Sequence, residues 1–308
     1  MYFCDAANIY AEGMRFHHCP NKKCKFHMLS EGWAYAKKGY FKTKWNAQPV
    51  PRYRCGECGK YFSSHTFRES YGQKKPYLNQ EVFKWYASGT TLRRMAIVMG
   101  VSRVTITRKF LFMAELSRKE HARRIQAGEL KTSLAQFDEM ESFEHSKLKP
   151  LSIALAVRAR TGEIIGAQTA EMNCKGHLAV ISQMKYGWRK DNRNVAREGV
   201  LRLLNQCSRE WLVVVTDKKT DYPEILKKCL PHAEIQQVKR VERLSTKVSA
   251  NRRNENDALF TLNYTCAKIR HDLSRMARKV WVTTKKAERL QAHLHLYIAF
   301  NNGYRLGA

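Results

Sequence analysis

Three oxygen-bearing side chains stand where they could hold divalent cations: Asp138, Asp217 seventy-nine residues later, and Asn263 another 46 residues on. Hard cations such as Mg²⁺ prefer oxygen donors, which carboxylates and an amide carbonyl supply. Two such ions about 4 Å apart can activate an attacking oxygen and stabilise the leaving oxygen of a phosphodiester. Asn263 would ligate at lower charge cost and hold a second ion less tightly. Arg270 lies seven residues, two helical turns, past Asn263, so it shares a helix face and could steady a transition-state phosphate. Lys268 is the weaker candidate. Asp272, nine residues on, falls on the opposite side of that helix, and Glu255 precedes it. Glu139 alternates to the strand face away from Asp138, where a solvated glutamate is expected.

A second constellation is soft. Cys19-Pro-Asn-Lys-Lys-Cys24 and Cys55-Gly-Glu-Cys58 form two close pairs separated by 30 residues rich in aromatics and lysine, from Trp33 to Trp45. Two thiolate pairs with antiparallel strands between them make a zinc ribbon, a unit too small to fold without its metal. The four-residue gap in the first pair leaves His17 or His18 as substitutes for a thiolate. Cys4, Cys174, Cys207, Cys229 and Cys266 stand alone among apolar neighbours, as buried structural thiols would.

Helical periodicity begins at Leu78, with Val82, Phe83 and Trp85 or Tyr86 on one side, and ends at Ser88-Gly89. Thr90 or Thr91 caps a second helix, and Ser102 caps a third over 103–114 with Val104, Ile106 and Phe110 facing inward. Ala96, Gly100 and Ile106 give the small, glycine, apolar spacing of a helix-turn-helix. Arg103, Thr105, Arg108 and Lys109 then face outward toward a major groove. The charged stretch 115–131 is expected to be a linker helix ending near Gly128.

After Thr132 the pattern changes to strands at 133–143, 151–157 and 164–171, a helix at 195–206, and a strand ending in Asp217. A helix at 222–229, a strand at 233–239, a helical run from about 257 to 277 and another near 286–300 follow. Three antiparallel strands, then alternating helix and strand, then a helix is the order of a ribonuclease-H-like domain. In that arrangement the first acid lies on the first strand, the second ends the fourth strand beside it, and the third group projects from the last helix. The fold class is therefore α+β and multidomain: zinc ribbon (1–72), trihelical helix-turn-helix with linker (73–131), and a mixed five-stranded sheet flanked by helices (132–308).

The chain's 56 Lys and Arg against 27 Asp and Glu give a net charge of +29. Residues 1–130 hold 24 basic and 9 acidic groups, and 131–308 hold 32 and 18, so the charge is no detachable tail. Nucleic acid is the natural partner for such a balance. Lys185 to Arg193, including Arg189 and Trp188, and Arg278 to Lys286, including Lys279 and Lys285, interleave basic and aromatic residues as DNA-backbone contacts do. His177 has no acidic neighbours and is expected to be structural. No run approaches the roughly 20 apolar residues of a membrane helix. The first ten residues lack the basic start of a secretion signal, and a cytoplasmic, nucleoid-associated location is expected.

The chain resembles bacterial insertion-sequence transposases that combine a zinc ribbon, a helix-turn-helix and a ribonuclease-H-like domain. The resemblance lies in Phe137-Asp138-Glu139-Met140-Glu141-Ser142-Phe143-Glu144-His145, Thr216-Asp217 followed by Tyr222-Pro223, and Leu262-Asn263 running on to Arg275-Met276-Ala277-Arg278-Lys279. It implies that Asp138, Asp217 and Asn263 bind two Mg²⁺ or Mn²⁺ ions, Asn263 marking an Asp-Asp-Asn branch of an Asp-Asp-Glu family. It further implies cleavage of double-stranded DNA at element ends, joining of the freed 3′-hydroxyl to target DNA, and a dimer or larger assembly to bring two ends together. A DNA-binding regulator with an inactive catalytic domain, or a nuclease without strand transfer, are the alternatives that Asn263 raises.

Overall fold

The computed structural model describes residues 15–44, 46–239, 257–277 and 283–306. It is α+β and divides into two compact units, residues 1–78 with 307–308, and residues 79–306. The first unit holds a three-stranded antiparallel sheet in the order β1 (Tyr35–Thr43), β2 (Asn46–Cys55), β3 (Tyr61–Phe62). Its core is aromatic: Phe16 meets Tyr35, Tyr53 and Phe62 edge-on at ring-centroid distances of 5.0–5.5 Å. Trp33 lies 4.9 Å from Tyr35. Few aliphatic residues are available to a sheet this small, so flat rings and the sulfurs of Cys19, Cys24 and Cys55 fill its interior.

Helix α1 (Leu78–Ala87), all but its first residue, opens the second unit and is followed by α2 (Leu92–Val98) and α3 (Arg103–Gln126). The Thr91 hydroxyl accepts from the Arg94 N–H and the Ser102 hydroxyl from the Thr105 N–H, at 3.3 and 3.2 Å. Gly100 turns the chain between α2 and α3 at φ +59°, a conformation costly for any residue with a Cβ. The expected linker helix is the continuation of α3, which runs unbroken to Gln126 and ends before Gly128. Its buried stripe (Ile106, Lys109, Phe110, Met113, Ala114, Ser117, His121, Ile125) repeats every three to four residues. The His121 ring bonds the Tyr304 hydroxyl (2.7 Å) and the Ile165 carbonyl (2.9 Å). Residues 73–131 and 132–308 thus share one unit instead of forming two, and the first unit extends past 72 to 78.

The five-stranded sheet comprises β4 (Thr132–Glu144), β5 (Ser146–Arg158), β6 (Ile164–Glu171), β7 (Ser208–Asp217) and β8 (Ala233–Val238) in the order β6-β5-β4-β7-β8. β4 and β5, and β5 and β6, are antiparallel; β4 and β7, and β7 and β8, are parallel. Helices α4 (Leu178–Tyr186), α5 (Arg193–Gln206), α6 (Tyr222–Cys229), α7 (Phe260–Asp272) and α8 (Ala287–Asn301) flank it. Phe137, Ala154, Ala156, Ile165, Val200, Leu204, Val214 and Leu226 pack into one core on the face covered by α5 and α6. Helix α4 had no counterpart in the sequence reading, and α7 is shorter than the expected run to Ala277. Neither Lys279 with its neighbours 278–281 nor Glu255 and Cys4 lie within the described residues.

Candidate functional site

Parallel pairing of Phe137 with Thr216 sets Asp138 and Asp217 on neighbouring strands at the same level. Asp217 is the last residue of β7, where the chain leaves the sheet. Both carboxylates line a cavity of about 620 Å³ together with Glu141, Asp257, Asn263, Cys266 and Arg270. Asn263 and Arg270 both reach it from α7, as their seven-residue spacing predicts. Lys268 points elsewhere, its ammonium 3.1 Å from the Asn301 side-chain oxygen, and Asp272 accepts from the Tyr297 hydroxyl at 2.9 Å.

The donor set suits a hard cation, being two carboxylates and an amide, all offering oxygen. Asn263 gives its Nδ2–H to Asp257 at 3.0 Å, which turns its carbonyl oxygen away from that carboxylate. Asp138 Oδ1 accepts from the Glu139 N–H (2.6 Å), the Tyr222 hydroxyl (3.0 Å) and the Lys219 ammonium (3.3 Å). The Lys219 ammonium therefore supplies positive charge to these acids from within the protein. Burial and the nearby Asp138 carboxylate push the Cys266 thiol up to about 12, which keeps it protonated at neutral pH.

Several residues that shape the site escaped the sequence reading. Gln136 is buried, two positions before Asp138 on the same strand face. Its amide donates to the Ala258 carbonyl and accepts from the Leu262 N–H, both at 2.7 Å. This side chain fastens the start of α7, and with it Asn263, over β4. Asp257 accepts from the Leu259 N–H (2.9 Å) as well as from Asn263, so it orders the same turn. Only its proximity to the helix start could have pointed to it.

Glu139 is not solvated as expected. Its side chain is 5% exposed and paired with Arg197 of α5, itself 3% exposed, at 2.6 Å. The Ser152 hydroxyl donates to it at 2.9 Å, and Tyr222 reaches it at 3.3 Å. Burial opposes its charge, but Arg197, Ser152 and Lys219 outweigh that and hold its carboxyl below the ordinary value. Burial, with Asp138 and Glu139 alongside, pushes the Tyr222 phenol far up, so it remains a donor bridging both acids.

In the first unit Cys19, Cys24, Cys55 and Cys58 place their sulfurs within 4.8 Å of one another. The Cys19 and Cys58 sulfurs are 3.6 Å apart, and tetrahedral zinc with bonds of about 2.3 Å requires about 3.8 Å. The four thiols could hold a structural metal such as zinc. Neither candidate histidine takes part: His17 is exposed, and His18 meets the His27 and Phe67 rings. The Trp33 indole N–H donates to Cys55 at 3.2 Å. Burial disfavours the Cys55 thiolate, but this bond and the backbone N–H groups of Cys58 and Glu57 bring it down to about 6. Of the solitary cysteines, Cys207 is buried, while Cys174, Cys229 and Cys266 are only half-buried. Among the described residues, no other group of three His, Cys, Asp or Glu side chains converges this closely, so the acidic cavity is an open arrangement.

The expected DNA contacts divide. Arg103, Arg108, Lys185 and Lys285 are exposed and Thr105 is half-buried. Lys109 is buried instead, because it falls three residues after Ile106 on the inner stripe of α3. Val104, expected inside, is exposed for the same reason of phase. Arg189 is also turned inward, its guanidinium donating to the Pro150 and Met172 carbonyls at 2.9 and 3.2 Å. Glu144 and Glu171 lie 3.7 and 3.6 Å from it. His177 is exposed at the start of α4 and not a structural histidine. No family model matches the chain, and no curated protein matches it. Among the described residues no helix is long and apolar enough to cross a membrane.

Proposed function

We propose that the chain is a metal-dependent DNA transposase that cleaves the ends of its element and joins their 3′-hydroxyls to target DNA. The observation carrying this reading is the meeting of Asp138, Asp217, Asn263 and Arg270 at one cavity beside a sheet ordered β6-β5-β4-β7-β8. That order, with β5 antiparallel to β4 and β7 parallel to it, is the one expected for a ribonuclease-H-like domain. On this reading Asp138, Asp217 and Asn263 hold two Mg²⁺ or Mn²⁺ ions. Bound there, the ions would activate the attacking oxygen and stabilise the leaving one. Arg270 takes the non-bridging oxygens of the phosphate, Tyr222 fixes the Asp138 carboxylate, and Gln136 keeps Asn263 in register.

The four-cysteine unit is read as a zinc ribbon, and α2 and α3 as a helix-turn-helix presenting Arg103, Thr105 and Arg108 to a major groove. The charge of +29 favours a polyanionic partner, and two element ends call for at least two copies of the chain. The test is to incubate the protein with a 3′-hydroxyl element-end duplex, a target plasmid and Mg²⁺ or Mn²⁺. Joined products are expected, and Asp217→Ala abolishes them while duplex binding stays nearly intact. Cleavage without joining would establish a nuclease, and binding alone a regulator.

A further inference from the structure

Helix α4 is attached to the second unit by little more than one side of one turn. Ser182 is buried and donates its hydroxyl to the Leu148 carbonyl at 2.6 Å. Three of its apolar side chains face the other way: Val180 is 63% exposed, Ile181 49% and Met184 84%. Gly187 ends the helix at φ +70°, and Trp188 follows, 79% exposed. Trp188 is nevertheless held in place. The next residue, Arg189, donates its N–H to the Asn173 side-chain oxygen (3.2 Å) and buries its guanidinium against two carbonyls. The indole is thus presented to solvent by a fixed backbone. An exposed apolar surface of this kind marks an interaction site.

The charge around it selects the partner. Lys185 and Lys190 are exposed, and the ammonium groups of Lys149 and Lys185 lie 4.6 and 5.6 Å from the Tyr186 ring centre. A second copy of this chain would bring the same positive charge against these lysines. Duplex DNA would satisfy the lysines but offers phosphates and groove edges, with its base faces stacked away. Single-stranded DNA presents both phosphates and apolar base faces, and aromatic side chains among cations are how proteins hold it.

We propose that α4 and Trp188 form a platform for unpaired bases of single-stranded DNA, with Lys185, Lys190 and Lys149 pairing the adjoining phosphates. This rests on the reading of the chain as a DNA-acting protein. It adds that a few nucleotides of the bound DNA are held unpaired.

The experiment measures fluorescence anisotropy of the full chain with three labelled probes of equal length: oligothymidine, an abasic strand and a duplex. Oligothymidine is expected to bind more tightly than the abasic strand. Trp188→Ala should weaken oligothymidine binding roughly tenfold while leaving the abasic strand and duplex unchanged, and Trp188→Phe should retain most of it. Thermal melts of both variants should match the parent, because the side chain is exposed. Equal affinity for oligothymidine and the abasic strand, or an equal loss on all three probes, would overturn the platform while leaving DNA binding standing. Failure of the parent protein to bind any probe would overturn the DNA reading itself. Self-association without DNA, or binding to anionic lipid vesicles, that Trp188→Ala abolishes would assign the face to another partner and equally defeat the proposal.

Discussion

Arg197→Met should destabilise the second unit in a way that depends on pH. Arg197 and Glu139 are both almost wholly buried and 2.6 Å apart, and removing one partner of such a pair costs about 3–5 kcal/mol. Ser152 and Lys219 remain at 2.9 and 3.5 Å from Glu139, which places the loss near the lower end. For a unit of this length about 3 kcal/mol lowers the melting temperature by roughly 6–12 °C. The sign with pH follows from the carboxyl. In the parent, Glu139 titrates below its ordinary 4.5, so its pairing contributes fully above that value and the contribution is lost as pH falls through the depressed one. In the variant burial acts with less opposition and raises the carboxyl, so a protonated Glu139 relieves the cost in acid. The difference between parent and variant in thermal melts should therefore be large at pH 7 and shrink toward pH 4. Arg197→Met combined with Glu139→Gln should recover part of the loss at pH 7. A difference that is constant with pH, or absent, would refute the account of this pair.

Gln136→Leu should leave the Ala258 carbonyl and the Leu262 N–H without their side-chain partner, at about 1–3 kcal/mol for each unpaired group, and reduce joining while duplex binding persists; unchanged hydrogen exchange at Leu262 would count against it. Strong chelators should lower the first melting transition and alter Trp33 fluorescence, because four thiolates cannot stay clustered without a cation. A melting curve indifferent to chelators would remove the zinc site. Gly100→Ala forces a Cβ into a left-handed turn and should cost about 1–2 kcal/mol in denaturant titrations, with no loss at all arguing against the turn as drawn.

Much of the sheet could be read from the sequence because β5 and β7 carry continuous apolar runs, Leu151–Val157 and Leu212–Val215; β6 and α6 begin and end where the pattern said. The acids were legible for a related reason, since a carboxylate closing a buried strand such as Trp211–Asp217 stands out. What failed was burial of charge. Lys109 and Arg189 look like any other basic residues in a basic chain, and only helix phase or a distant carbonyl turns them inward. Helix α4 went unseen because most of its large apolar residues, Val180, Ile181 and Met184, line its outer side, leaving little inward stripe to detect. Gln136 was invisible because its partners lie 122 and 126 residues away in sequence.

The unbroken span of α3 makes it a strut. At about 1.5 Å per residue its 24 residues measure about 36 Å, close to one turn of B-form DNA. Arg103 sits at one tip, and His121 and Ile125 are cemented into the sheet unit at the other. On the proposed reading of Arg103 as a DNA contact, one extra residue near Glu115 would rotate its grip about 100° around the helix axis relative to the buried foot.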